Sequence, residues 1–380
     1  MNRGALRGSP TAAGFVVFGG TPAESASALS TLEELELGDP GPEMILFPQK
    51  EPPPVRTAAE GTQVTCCAVP AEYAPRIEAA RCGSPAGTVY AAVAGMLAAV
   101  RPPRLLVREL DGLEEPPFRP VDQPKATWIL PHLGSESELA WAIAAIRHTS
   151  EADPISAGWD GRSPGSVNPS RFEAGGSVRV AGYGPRVVGP YFIREDLVRA
   201  ASSPLVFFED SDDLPTFDRA PMLRHALTQS DHDIVGSHYL RVDDLAKEVR
   251  PVRFPLDVNA ALASSPGHAQ LLPTTIARKQ SVLRVGGFST ALHFGADTQF
   301  LLRASFSLRL ANVDRFLYIK RRHENSLTTR PETGFGSPER TRLDALWKAA
   351  FHDVKLGKLD LLDSPLAASK RTEPVGDDGS

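Results

Sequence analysis

The sequence feature that most restricts the fold of this chain is an apolar run that ends in a cluster of carboxylates. Residues 205–208 read Leu-Val-Phe-Phe, and four of the next five residues are acidic. A short continuous apolar run between turn-forming residues is typical of a strand that is buried on both faces. Open α/β sheets bind ligands at the carboxyl ends of such strands, so the acidic cluster is a candidate binding site.

The spacing of the acidic residues suggests a ligand. Asp210 and Asp212, with Ser211 between them, are placed to share a divalent cation, because Mg²⁺ prefers carboxylate oxygens together with substrate phosphates. Asp and Ser are also common turn formers, so Asp-Ser-Asp alone fits a solvated turn at least as well. The surrounding sequence has to distinguish a metal site from a turn.

Length and composition exclude several classes of protein. The 380 residues are enough for two domains, and a net charge of -5 without a Lys/Arg-rich run gives no expectation of nucleic-acid binding. No run of eighteen apolar residues occurs, which predicts no membrane span but is compatible with peripheral membrane contact. The amino terminus lacks a signal-peptide pattern, and the three cysteines cannot form a disulfide framework. We therefore expect a cytoplasmic protein.

Strand and helix patterns alternate along the chain, which predicts an α/β architecture built from βαβ units. Two domains follow from this pattern, a small α/β domain at 14–120 and a larger one at 124–335, with a Pro-rich linker between them. An amphipathic helix is predicted at 336–360. Composition predicts disorder at 1–13 and 361–380, and an irregular segment at 245–270.

The two domains share a local pattern. Residues 97–111 align without gaps on residues 198–212, and both segments read helix, proline turn, apolar strand and acidic end. This similarity predicts that the small domain is a degenerate, half-size version of the larger one that packs against it and does no chemistry. Any two βαβ units with a proline turn align in a similar way, so chance similarity is the alternative.

The larger domain contains seven short motifs in a distinctive order. These are Pro131 at the end of its first strand, Asp160-Gly161, Arg194 sixteen residues before Asp210, Asp210-Ser-Asp-Asp213, Gly286-Gly-Phe288, Ala296-Asp297 and Arg321-Arg-His-Glu-Asn-Ser-Leu-Thr328. This order resembles that of the inverting glycosyltransferases of family 2, which have the GT-A fold, a Rossmann-like mixed sheet. The resemblance implies transfer of one sugar, hexosyl or related, from a nucleotide-diphospho-sugar to the hydroxyl of a sugar, a lipid-linked glycan or a small molecule.

The resemblance also implies a role for each matched residue. Asp210, Asp212 and His323 would hold Mg²⁺ or Mn²⁺ against the donor diphosphate, where the metal acts as a Lewis acid on the departing group. The donor itself would contact Pro131, Asp160, Arg194, Ser211, Gly286, Gly287 and Arg322, with Asp160 at the nucleotide base and Arg194 near the base or the diphosphate.

Asp297 would be the general base that takes the proton from the acceptor hydroxyl as that oxygen attacks the anomeric carbon. Simpler interpretations exist for the two isolated aspartates. Asp160 fits a turn aspartate beside a glycine, and Asp297 precedes a predicted helix, where Asp is favoured as an N-cap.

Several positions depart from the family pattern. Trp159 replaces the first Asp of the usual pair, Glu195 replaces an Asn, and Ala296 replaces a Glu. The Gln-x-x-Arg-Trp motif of processive synthases is missing, so single-sugar transfer is expected rather than polymerisation. The alternatives are a catalytically inactive GT-A-like binding or scaffold protein and, less favoured, a sugar nucleotidyltransferase, whose Gly-rich activating loop has no counterpart at residues 131–135.

Overall fold

A computed structural model describes residues 14–17, 44–47, 66–67, 90–91, 93–95, 97–99, 101–107, 123–163, 165–172 and 177–371. Three predicted segments fall outside these residues. They are the disordered segment expected at 1–13, a helix that leucine spacing predicts at 25–35, and most of the linker at 114–124. The end of the chain from residue 372 falls outside them as well.

The amino-terminal region forms a small four-stranded sheet in the order β3-β1-β2-β4. Strands β1 (Gly14–Val17), β2 (Met44–Phe47) and β4 (Leu105–Val107) are parallel, as the βαβ pattern predicts. Strand β3 (Cys66–Cys67) is antiparallel to β1, so the expectation of an all-parallel sheet is wrong at this position. A two-residue edge strand has only one neighbour to satisfy, which leaves its direction weakly specified by sequence.

The amino-terminal region packs against the rest of the chain. The helical residues Tyr90, Val93 and Leu97 and strand β4 share a hydrophobic cluster with residues of the larger sheet, among them Leu214 and Phe316. The Phe217 N–H donates to the Leu105 carbonyl (2.7 Å), and the Tyr90 hydroxyl donates to Asp244 (2.8 Å). The predicted packing is therefore observed for these residues. The acidic end of the first repeat, Glu109 and Asp111, lies outside the described residues, so the proposed duplication stays a prediction.

The second sheet has nine strands in the order β7-β6-β5-β8-β12-β10-β13-β9, and β11 also pairs with β10. Strands β5 to β8 are parallel to one another, β12 is antiparallel to both of its neighbours, and β10 is parallel to β13. The predicted mixed α/β sheet is thus confirmed. The strands are β5 (Ala126–His132), β6 (Ile155–Asp160), β7 (Val178–Tyr183), β8 (Leu205–Phe208), β9 (Leu214–Pro215), β10 (Ile234–Asp243), β11 (Glu248–Val252), β12 (Ile276–Arg278) and β13 (Leu310–Arg322).

Seven helices accompany this sheet within the part of the chain described from residue 123 to residue 371. They are α1 (Glu136–Thr149), α2 (Pro190–Ala200), α3 (Arg219–Thr228), α4 (Val258–Ser264), α5 (Lys279–Arg284), α6 (Ala296–Ala304) and α7 (Pro338–Lys355). The sequence Ser135-Glu-Ser-Glu138 predicts a capping box at the start of α1, and this box is present, with the Ser135 N–H donating to Glu138 (2.7 Å). The sequence also predicts a helix from Arg194 to Ala201, but α2 begins four residues earlier, because Pro190 in its first turn is compatible with a helix start. None of these helices is long and apolar enough to cross a membrane.

Strand β8 lies at the centre of the core because its two faces bury different residues. Leu205 and Phe207 belong to the hydrophobic cluster that includes α1 and α3, where Phe207 stacks on Trp128 with ring centroids 4.4 Å apart. Val206 and Phe208 belong to the opposite cluster, with α2, α6 and α7. The uninterrupted apolar run is thus explained by burial on both sides.

Two sequence-based expectations about irregular segments are wrong. The segment at 245–270 contains strand β11 and helix α4, and residues 361–371 pack against α6 rather than being disordered. Leu366 is fully buried, and its carbonyl accepts from Arg303 (2.6 Å), while Gln299 donates to the Pro365 carbonyl (2.8 Å). These contacts come from buried polar side chains of α6, which the local composition of the tail cannot reveal.

Candidate functional site

The candidate site lies where β8 ends and the chain turns into β9. Asp210, Asp212 and Asp213 each offer a carboxylate oxygen, and these three oxygens lie within 4.8 Å of one another. The carboxyl end of β13 and the first turns of α2 and α6 supply the other charged groups described below. The position agrees with the rule that open α/β sheets bind ligands at the carboxyl ends of their strands.

Asp213 is the buried member of the acidic cluster. Its carboxylate accepts from the Tyr318 hydroxyl (2.8 Å), the Arg321 N–H (2.7 Å) and the Lys320 ammonium (3.1 Å). Burial raises the pKa of this carboxyl to about 7, although the charge of Lys320 and the hydrogen bond from the Arg321 N–H oppose that rise. Asp213 is therefore committed to contacts within the protein.

Asp210 is paired with Arg194, which reaches it from the first half of α2. The Arg194 side chain is only 5% exposed, whereas that of Asp210 is 25% exposed. Burial opposes the charge of Arg194, yet the neighbouring carboxylate of Asp210 leaves its pKa raised. Arg194 is thus beside the acidic cluster, as the sequence predicted for a group near the donor, and its immediate partner is a predicted metal ligand.

Asp212 is the accessible member of the acidic cluster, with 44% of its side chain exposed. Its carboxylate is 3.0 Å from Nε2 of His323. Loss of solvation disfavours the charged form of Asp212. The hydrogen bond from His323 and the charge of Lys320 outweigh this effect and lower the pKa of Asp212. The predicted pair of Asp212 and His323 is therefore brought together from positions 111 residues apart.

Ser211 turns away from its two acidic neighbours toward β5. Nε2 of His132 lies 2.9 Å from the Ser135 carbonyl, which can only accept, so this nitrogen carries the proton. Burial lowers the pKa of His132, which favours the neutral ring, and its Nδ1 accepts from the Ser211 hydroxyl at 2.9 Å. His132 fixes the turn of the acidic cluster and was missed by the sequence analysis. Pro131, the residue before it, is buried within β5.

Asp160, at the end of β6, is bound by the backbone. Its carboxylate accepts from the N–H groups of Gly161 (3.0 Å), Val188 (2.7 Å) and Gly189 (2.8 Å), and the residue is 4% exposed. A carboxylate has about four acceptor positions, so three are occupied, two of them by the loop that leads into α2. This geometry matches the turn-aspartate interpretation. Direct recognition of a nucleotide base by Asp160 stays a prediction.

Asp297 lies in the first turn of α6, but it is not the N-cap. The N-cap is Gly295, with a φ of 74°, where an added Cβ would approach the Trp347 ring to about 3.0 Å. The N-cap alternative for Asp297 is therefore wrong. Its carboxylate instead accepts from the Tyr191 hydroxyl at 3.0 Å.

Tyr191 and Arg194 connect the two acidic sites. They lie three positions apart on α2 and so share one face of it, and the Arg194 guanidinium is 5.4 Å from the centre of the Tyr191 ring. Tyr191 contacts Asp297, and Arg194 contacts Asp210. The predicted base and the predicted metal site therefore belong to one connected group of side chains. Tyr191 would have been found from sequence if the start of α2 had been placed at Pro190.

Gly286 and Gly287 serve the packing of their loop. Both have positive φ (88° and 63°), and a Cβ on Gly287 would lie 2.1 Å from a Glu195 carboxylate oxygen. Glu195, the residue that departs from the family pattern, accepts from the Phe288 N–H (2.8 Å) and from Lys370 (2.6 Å). Close approach to a sugar by these glycines stays a prediction, since the contact observed is with Glu195.

The basic residues at the end of β13 divide into two sets. At the end of β10, Arg321 pairs with Asp244 and Arg322 pairs with Asp243, each at 2.7 Å. Arg322, which was predicted to contact the donor, therefore already has a carboxylate partner. Lys320 reaches the acidic cluster instead. Lys320 was not predicted as a site residue. It lies two residues after Tyr318, so both side chains are on the same face of the strand, and both contact Asp213.

A divalent cation fits the accessible part of the acidic cluster. Mg²⁺ and Mn²⁺ take oxygen ligands and are commonly bound by one or two carboxylates plus substrate phosphates. Asp210 and Asp212 are partly exposed and close enough to share one ion, and His323 lies against Asp212. Asp213 does not fit, because its acceptor positions are used by Tyr318, Lys320 and the Arg321 N–H.

No protein-family profile and no curated protein match this chain. Similar solved structures include S. aureus TarS, with 14% identity and a TM-score of 0.43, over 60% of this chain but only 43% of TarS. TarS residues 1–349 in complex with UDP-GlcNAc align with 14% identity and a TM-score of 0.45, over 60% and 73% of the two chains. The complex with UDP has 14% identity, a TM-score of 0.43, and 60% and 72% coverage.

What the candidate site can do follows from its own side chains.

Proposed function

We propose that this protein is a metal-dependent, inverting glycosyltransferase that moves one sugar from a nucleotide-diphospho-sugar to an acceptor hydroxyl. The observation that carries the proposal is the connected group from Asp297 through Tyr191 and Arg194 to Asp210. It joins a candidate base to a cluster of cations and carboxylates suited to a diphosphate. These are the two components that a direct displacement at an anomeric carbon needs.

The donor would bind at the accessible edge of the acidic cluster. Asp210, Asp212 and His323 would hold Mg²⁺ or Mn²⁺, which supplies Lewis-acid neutralisation of the charge on the departing nucleoside diphosphate. Arg194 and Lys320 add two fixed positive charges at the same place. The guanidinium of Arg194 has the planar donor geometry that phosphate oxygens favour.

Asp297 would act on the acceptor. Tyr191 donates to its Oδ1, which orients the carboxylate and leaves Oδ2 to take the proton of the attacking hydroxyl. Attack from the face opposite the leaving diphosphate inverts the configuration in one step and needs no covalent intermediate. Because no further nucleophile is required, one oriented aspartate is sufficient for this reaction.

The proposal is tested first by nucleotide binding. Isothermal titration of UDP, GDP and dTDP with and without Mn²⁺ should give metal-dependent heat with at least one of them, and Asp212→Ala should remove the metal-dependent part. Asp231→Ala is the matched control, because Asp231 is an exposed aspartate whose partner is Arg309. Absence of binding by all three nucleotides under both conditions would contradict the proposal.

The second test is turnover. Mass spectrometry of products from a panel of nucleotide sugars should detect slow donor hydrolysis, and UDP-GlcNAc is the first to try because it is bound in a structure of TarS. Metal-dependent binding without hydrolysis or transfer would support the alternative, a GT-A-like binding protein. The substituted positions Glu195 and Ala296 are the features that favour this alternative.

A further inference from the structure

Lys320 extends from β13 into the acidic cluster. Its Nζ is 3.1 Å from Asp213 Oδ2 and 3.8 Å from Asp210 Oδ2, and 21% of its side chain is exposed. The bond to Asp213 uses one of its three N–H donors, and 3.8 Å is too long for a second bond to Asp210. Lys320 therefore keeps donor capacity beside the partly exposed carboxylate of Asp210.

The charge of Lys320 is secured by its surroundings. A lysine ammonium is charged at neutral pH, and the neighbouring carboxylates of Asp213 and Asp210 favour that form. Tyr318 and the Arg321 N–H fix the position of Asp213, and Asp213 in turn holds Lys320. The ammonium is thus a charge whose position is set by the fold before any ligand arrives.

The cluster is largely neutralised without any metal ion. Three carboxylates face the permanent cations Lys320 and Arg194, and His323 contacts the third carboxylate. An incoming diphosphate therefore does not meet three unpaired negative charges, which would otherwise make a divalent cation a condition for binding.

We propose that Lys320 is a built-in cation for the diphosphate, so that the nucleotide binds measurably without a divalent metal ion, while the metal adds to the affinity and is needed for transfer. This inference rests on the proposed function, because it assigns the diphosphate of the donor to this site. The Lys320 ammonium keeps its bond to Asp213 and donates to a phosphate oxygen on the exposed side of the cluster.

The experiment is titration of UDP and of uridine into the protein in EDTA. Wild-type protein should bind UDP at least about tenfold more tightly than uridine under these conditions, since only UDP offers phosphate oxygens to the ammonium. Lys320→Gln should remove most of that difference, whereas Lys320→Arg should retain much of it. Lys279→Gln is the control, because Lys279 donates to the carbonyls of Arg199 and Ala201 on another part of the molecule.

The outcomes separate this inference from the proposed function. If UDP binds only when Mn²⁺ is added, the role of Lys320 is wrong while nucleotide binding stands. If UDP, GDP and dTDP all fail to bind with and without Mn²⁺, the proposed function fails as well. The comparison of UDP with uridine needs only wild-type protein, so the test holds even if Lys320→Gln does not fold, and circular dichroism of each variant establishes that point.

Discussion

The ends of strands β6 and β8 look alike in the sequence, since each apolar strand ends in or is followed within two residues by aspartate, yet the structure uses them differently. Asp160, the last residue of β6, is enclosed by three backbone N–H groups, and it fixes the loop that leads into α2. Asp210 and Asp212, after β8, are bound by the side chains of Arg194 and His323 and stay partly exposed.

The difference shows how a carboxylate becomes available for chemistry. Backbone donors hold Asp160 in place permanently, because their positions are set by the chain itself. Side-chain cations can share their donors with a ligand, so Asp210 and Asp212 can gain a new partner when one arrives. Asp213 follows the exposed Asp212 directly in sequence, but it is buried and accepts from three protein donors.

Loss of the exposed carboxylate should have the largest effect on activity. We expect Asp212→Ala to lower kcat/KM by about 10³-fold or more, since stabilisation of the departing diphosphate is worth several kcal/mol. Steady-state kinetics over a range of Mn²⁺ concentrations checks this. Activity close to that of the Asp231→Ala control would rule out Asp212 as a metal ligand.

Asp297→Asn tests the proposed general base, which Tyr191 and Arg194 connect to the acidic cluster. The amide keeps the shape but cannot take a proton, so kcat should fall by about 10² to 10³-fold while UDP affinity stays the same. Single-turnover rates and calorimetric binding measure the two quantities separately. Full turnover by this variant, with Asp212→Ala inactive, would show that another group takes the proton.

Asp160→Asn should act on stability more than on chemistry. Replacing the charged acceptor of three backbone N–H groups should lower the free energy of unfolding by about 2 kcal/mol, with a smaller effect on UDP affinity. Urea denaturation measures the first quantity. Asp257→Asn is the control, because Asp257 is a helix N-cap with one backbone N–H donor, and Asn serves equally well there. A large loss of UDP affinity in folded Asp160→Asn would restore its predicted role at the nucleotide base.

Tyr191→Phe should have the smallest effect of the four. Removing its hydroxyl leaves Asp297 less well oriented, so we expect kcat to fall about tenfold or less. Tyr183→Phe is the matched control, since it removes another Tyr-to-Asp bond to the same helix, at Asp196. Equal effects of the two variants would show that Tyr191 acts only through the stability of α2.

Sequence patterns predicted the strands that enter the site because burial on both faces of β8 requires an unbroken apolar run. They also predicted the partnership of Asp212 with His323, but only through the order of the family motifs, since the two lie 111 residues apart. The roles of His132, Tyr191 and Lys320 were missed, because each depends on which group faces it from another strand or helix.

What the sequence determined by itself is the class of fold and the position of the acidic cluster, because hydrophobic periodicity and strand-end residues are local properties of the chain. Tertiary structure alone decided which aspartates are available to a ligand. A carboxylate looks the same in sequence whether its neighbours in space are backbone N–H groups, as at Asp160, or a guanidinium, as at Asp210. Arg194 comes from α2 and Lys320 from β13. Only the tertiary packing of that helix and that strand brings the two cations to the end of β8.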